Sequence, residues 1–160
     1  MISMRQVKEL GSVNVDFNEY VPLTITWGSA SGFLEPPRYV ELRNGNGYLE
    51  FKFHPSTGIL VEVVLAAAPG IQVELGSLSP RNSEDVKLMP FLDSGDTLGE
   101  TERPLTIKAY SDYLYVSFAQ DPDQWIGSGP VLFGVAERQN LAAICTRWSA
   151  SEREAVLIDR

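Results

Sequence analysis

The sequence predicts a mainly-β domain, with α+β as a variant. The architecture expected is an antiparallel sheet or sandwich built from two pseudo-repeated β-hairpin units, with a short C-terminal helix. Three observations support this. Apolar and polar residues alternate over short stretches, as in half-buried strands. Clusters of Gly, Asn, Pro and Ser separate those stretches, as turns do. The tetrapeptide Pro-Leu-Thr-Ile occurs at residues 22–25 and again at 104–107, and the same offset of 82 carries Gly45, Gly47 and Phe51 onto Gly127, Gly129 and Phe133.

The elements follow in chain order. Val13, Val15 and Phe17 alternate with polar neighbours and predict a first strand, and the β-formers of 22–27 predict a second. Residues 28–37 (GSASGFLEPP) are a loop. Residues 38–43 return to alternation and end at Asn44-Gly45-Asn46-Gly47, a sequence suited to a tight hairpin turn. Leu49, Phe51 and Phe53 then share one face, with Glu50, Lys52 and His54 on the other. The run 54–58 (HPSTG) turns the chain, Gly58 supplying a positive φ. Residues 59–65 are apolar on both faces except at Glu62, as expected of a central strand covered on both sides. The first unit spans about 13–75, residues 76–103 form a connecting loop with a short helical turn expected near 85–89, and the second unit spans about 104–148. In that second unit Val131, Phe133 and Val135 mirror Leu49, Phe51 and Phe53, and Asn140 takes the place of Gly58 as the residue of positive φ. Ser151 and Glu154 have capping-box spacing, which places the final helix at 151–158.

Composition excludes several classes. At 160 residues and 44% apolar content, the chain has the length and core of one domain. The net charge is −8, and no Lys/Arg cluster is present to neutralise phosphates, so nucleic acid is not an expected partner. The best apolar run, 59–69, is far shorter than the ~20 residues of a membrane span and contains Glu62. Residues 1–10 lack the apolar stretch of a secretory signal, and Cys145 is the lone cysteine, so the expected location is cytoplasmic.

Few residues suggest chemistry. His54 is the sole histidine; it is expected to hydrogen-bond the turn that follows it, and as a base it would need Glu50 or Asp16 beside it. Cys145 stands in an apolar strand and, by alternation, shares a face with Leu141 and Ala143, a core position rather than a nucleophile's. A calcium loop opening at Asp121 would require oxygen ligands where Trp125 and Leu132 stand. The glycine pairs 45/47 and 127/129 open no helix and precede no Walker lysine, so they mark turns. No catalytic residue, cofactor or metal site is therefore assigned. Trp125 in a polar loop, preceded by Asp121 and Asp123, and the nearby Tyr113 and Tyr115 are the candidate partner-binding residues, because aromatics often anchor interfaces.

The expected function is a non-enzymatic, acidic binding module for a protein partner of basic character, of the immunity or regulatory type. Two alternatives stand beside it. One is a small-molecule-binding or hydrolytic enzyme using His54 and nearby carboxylates; the other is a homo-oligomer paired through sheet edges.

Overall fold

The computed structural model describes residues 2–28, 34–80, 87–95 and 99–158. The protein is mostly strand, in two mixed sheets, with one short C-terminal helix. The first half supplies β2 (Val13–Asp16), β3 (Leu23–Trp27), β4 (Arg38–Asn44), β5 (Gly47–Phe53) and β6 (Leu60–Ala67). The second supplies β10 (Thr106–Ala109), β11 (Tyr113–Ser117), β12 (Gln124–Ser128), β13 (Val131–Ala136) and β14 (Asn140–Arg147). The first sheet runs β2-β3-β6-β5-β4 and the second β10-β11-β14-β13-β12, so both halves follow the same order of strands.

The shared order is not the one that the tetrapeptide suggests. Residues 22–25 lead into β3, the second strand of its half, whereas 104–107 lead into β10, the first strand of the other. The offset of 82 does superpose the fourth strands. Phe51 of β5 and Phe133 of β13 are both fully buried. The return strand then slips by one residue: Phe51 lies opposite Val63, but Phe133 lies opposite Ile144.

Three segments leave the expected pattern. Residues 72–73, assigned by sequence to the first unit, form β7 (Gln72–Val73) at the edge of the second sheet, parallel to β10. The expected connecting loop contains β8 (Leu88–Phe91), buried along its whole length and antiparallel to β1 (Ser3–Gln6). It also contains β9 (Gly99–Glu102), which runs parallel to β4 at the edge of the first sheet. These parallel edges make the sheets mixed rather than antiparallel throughout. The helical turn expected near 85–89 falls partly outside the described residues, and its last two positions, Leu88 and Met89, are strand.

Local chemistry explains the turns. Asn44 pairs with Gly47 across a two-residue turn in which Gly45 has φ 57°. His54 opens the next turn, where the Gly58 N–H donates to the His54 carbonyl at 2.9 Å. Gly58 has φ 74°, and a Cβ there would lie 2.4 Å from the Leu92 carbonyl oxygen and 2.8 Å from the Phe91 ring. Glycine is thus required at residue 58 for conformation and for space. In the β13–β14 hairpin the positive φ falls on Arg138 (60°) and Gln139 (61°), not on Asn140, which is extended at φ −87°. Asn140 instead donates its side-chain amide to the Glu137 carbonyl at 3.0 Å. The helix α1 (Ala150–Leu157) is capped by Ser149, two residues before the expected Ser151, and so begins and ends one residue earlier than the expected 151–158. Ser149 accepts from the Glu152 N–H at 3.2 Å, and the Glu152 carboxylate accepts from the Ser149 N–H at 2.7 Å.

The core lies between the sheets. Leu23, Ile25, Leu49, Phe51, Phe53, Val63 and Leu65 of the first meet Ile107, Leu114, Val116, Ile126, Val131, Phe133 and Ile144 of the second. The opposite face of the first sheet is ionic, and β6 is only half-covered there rather than buried on both sides. Lys52 bridges Glu50 and Glu62, and Arg43 pairs with Glu100 at 3.0 Å.

Replacement of Gly58 by Ala adds a backbone clash to the left-handed penalty, whereas Gly45 has open space around its Cβ direction. Urea unfolding is expected to show Gly58→Ala destabilised by about 3 kcal/mol and Gly45→Ala by about 1 kcal/mol. Equal losses would remove the close approach of Leu92 as the reason for Gly58.

Candidate functional site

Strand alternation places the candidate aromatics on the outer face of the second sheet. In β11, Leu114 and Val116 point into the core, so Tyr113 and Tyr115 point away from it. In β12, Ile126 points inward and Trp125 outward. There Tyr113, Leu132 and Cys145 form a second buried cluster, against which Leu78, Tyr115 and Trp125 pack half-buried. The Tyr115 and Trp125 rings meet edge-to-face with centroids 6.0 Å apart. This geometry is favourable for aromatic pairs.

The loop that bears the acidic residues is seated on the same face. A Cβ at Gly134 would come within 3.0 Å of Pro122 and of the Ala143 side chain, so the bare backbone of β13 lets Pro122 settle onto the sheet. The Asp123 N–H donates to the Val135 carbonyl at 2.8 Å and fixes the loop's exit. Asp121 and Asp123, on either side of Pro122, remain exposed, and the Asp121 carboxylate is close enough to act on the Tyr115 hydroxyl. On the other side Asp112 accepts from the Leu78 N–H at 2.9 Å, and Arg147 donates to the Tyr113 hydroxyl at 2.9 Å. The structure therefore brings Tyr113, Tyr115, Trp125, Asp121 and Asp123 onto one face. Tyr113 is buried beneath it, and the exposed contact area belongs to the other four.

Electrostatics agree with an uncharged aromatic centre. Burial raises the Tyr115 hydroxyl above its ordinary pKa, and the Asp121 carboxylate adds to the rise while a hydrogen bond with Ser117 opposes it. Burial also pushes the Cys145 thiol well up, with a smaller contribution from Asp112. Cys145 is not on the face of Leu141, as simple alternation implied. The pairings Gly134↔Ala143 and Val135↔Leu141 leave Ala142 as an extra residue, and this bulge puts Leu141 in the inter-sheet core and Cys145 under the aromatic cluster. A protonated, enclosed thiol is not a nucleophile.

His54 does bond the turn, as expected: its Nδ1 accepts from the Ser56 and Thr57 N–H groups at 3.1 and 3.2 Å. The partners proposed for it have engagements of their own. Glu50 accepts from the Tyr48 hydroxyl at 2.9 Å and pairs with Lys52, and Asp16 accepts from the Asn18 amide at 3.1 Å. Among the described residues, no three His, Cys, Asp or Glu side chains converge to hold a metal ion. No helix among them is long and apolar enough to cross a membrane. No protein-family model matches this chain, and no curated protein matches it in sequence.

Sequence reasoning missed two contributors. Leu78 is one, because nothing local in residues 76–80 shows that this segment bonds the turn before β11 and packs on the outer cluster. The other is a groove beside the 137–139 turn, lined by Arg103, which is distant in sequence.

Cys145 is expected to resist a disulfide-exchange reagent such as Ellman's reagent in the folded protein up to pH 9, and to react within minutes in denaturant. The sign follows from burial: the raised folded-state pKa favours the protonated form, so this contribution to stability is present below the unfolded value of 9.0 and is lost as the pH rises above it. Rapid labelling of the native protein at pH 7 would contradict the enclosed placement.

Proposed function

We propose that this chain is a non-catalytic binding module that docks a basic protein partner on the outer face of its second sheet. The reading extends to a cytoplasmic protein of the immunity or regulatory type. One observation supports it above the rest: a half-exposed Tyr115–Trp125 pair, held on a rigid sheet, sits beside exposed Asp121 and Asp123. Rigid aromatics provide contact area at low entropic cost, and adjacent carboxylates select a cationic rim on the partner. The net charge of −8 adds long-range attraction for such a partner.

Self-association is a second reading with its own observation. β7 is an edge strand; Val73 within it is 59% exposed and Leu75 just beyond it 100%. Unpaired strand edges with exposed apolar side chains invite another strand. Mass measurement in solution separates the readings: a monomer leaves the edge unpaired and removes the second one.

Affinity capture from the source cytosol is expected to retain a basic protein on the wild type at low salt. Trp125→Ala should lower its retention about tenfold or more, the usual size of an interface anchor. Asp121→Asn with Asp123→Asn should weaken it and flatten its salt dependence. Circular dichroism checks that both variants remain folded. Identical capture by the wild type and both variants, or no capture at either salt, would overturn the proposal.

A further inference from the structure

We propose that the groove beside the 137–139 turn is a binding site for a small monocarboxylate with a compact apolar tail. The site stands apart from the aromatic face and does not depend on the function proposed above. It lies where the β4–β9 edge of the first sheet meets the start of β14. The outer part, of about 400 Å³, is lined by Arg103, Arg138, Asn140 and Gln120 among others. The inner part, of about 190 Å³, is lined by Ile2, Val40, Leu42, Phe118 and Leu141, together with Thr101 and Arg103. Arg103 and Leu141 line both parts, so the two adjoin.

Three features give the ligand its chemistry. The first is charge. In a chain of net charge −8, two guanidinium groups line one groove, and neither has a hydrogen-bond or ion-pair partner among the described residues. Elsewhere, Arg5 pairs with Asp93, Arg43 with Glu100, and Arg147 with the Tyr113 hydroxyl. Arginine's fork of donors suits a carboxylate. Glu137 lines the same rim, so the local balance is a single positive charge, which favours a monoanion over phosphate.

The second feature is the inner recess, whose wall is mixed: Ile2, Val40, Leu42, Phe118 and Leu141 supply its apolar side chains, and Thr101 and Arg103 its polar ones. A cavity of about 150 Å³ accepts a benzene-sized guest, so the recess has room for one aryl or branched alkyl group. The third is the backbone. Arg138 and Gln139 both hold positive φ without being glycine, a conformation that costs about 1–2 kcal/mol per residue. The turn retains this strain while it places Arg138 on the groove. Strain of this kind concentrates at ligand sites.

The test is an amide-resolved NMR titration with 3-phenylpropionate, 3-phenylpropan-1-ol, acetate and inorganic phosphate. The first probe is expected to shift the amides of Thr101, Arg103, Phe118, Arg138 and Leu141 saturably. The alcohol should bind about tenfold or more weakly, since a charged hydrogen bond is lost. Arg138→Gln and Arg103→Gln should each weaken 3-phenylpropionate by a similar factor; both side chains are exposed, so the fold is retained and the unliganded spectrum checks it. Absence of saturable shifts, equal binding of the alcohol, or equal binding of acetate or phosphate would overturn the proposal. None of these outcomes bears on the aromatic face, whose partner is tested by Trp125→Ala.

Discussion

Phe51 stands edge-on to Phe118 at 5.4 Å, Trp27 lies against Phe133 at 5.7 Å, and Phe17 lies against Trp148 at 5.5 Å. Each pair joins one half of the chain to the other. Together they hold the two inner faces in register, and the remaining aliphatic side chains fill the space between them. Burial of such surfaces contributes about 25 cal/mol per Å², and each aromatic pair adds roughly 0.5–1.5 kcal/mol beyond its area. The outer faces inherit their character from this contact. Once Phe51 and Phe133 must point inward, strand alternation forces Glu50 and Lys52 out on one side, and Leu132 with its neighbours out on the other.

The outcome is two unlike surfaces on one sandwich. The first sheet presents a mesh of charges. Glu41 lies opposite Glu50, Tyr48 donates to Glu50, Lys52 bridges Glu50 and Glu62, and Arg43 stacks over Tyr48. Burial, then the adjoining Glu41 and Glu50, keep the Tyr48 hydroxyl protonated. The second sheet presents an aromatic cluster with acidic residues only at its rim. A mesh that satisfies its own charges leaves less for a partner than exposed carboxylates beside an apolar centre, and this contrast underlies the proposal that a partner docks on the second sheet. Strand exchange ties the two sheets further: β7 leaves the first half to join the second sheet, and β9 returns to edge the first.

Much of this was legible in the sequence, for local reasons. Alternation located Leu49, Phe51 and Phe53, and Gly45 and Gly58 marked turns because few other residues adopt positive φ cheaply. The same alternation paired Tyr113 with Tyr115, but Trp125, expected in a polar loop, stands instead on β12, where pairing with β13 sets its face. Non-local pairing was hidden. Nothing within 99–102 shows that this all-exposed stretch pairs with β4, and the sparse apolar residues around Leu88 did not announce a buried strand. The Pro-Leu-Thr-Ile repeat misled because a short apolar segment suits any strand start, whatever that strand's place in the sheet. The burial of Cys145 was legible, but its face was misread because a bulge adds one residue and reverses the faces beyond it. The arginine groove depends on Arg103 and Arg138 meeting across the fold.

A double-mutant cycle on Trp27→Leu and Phe133→Leu, read by urea unfolding, tests the inter-sheet contact most directly. The account predicts one cooperative transition in every variant and a coupling between the two positions of about 1 kcal/mol. Strictly additive losses, or separate transitions for the two halves, would show that the sheets stand without each other and would contradict it.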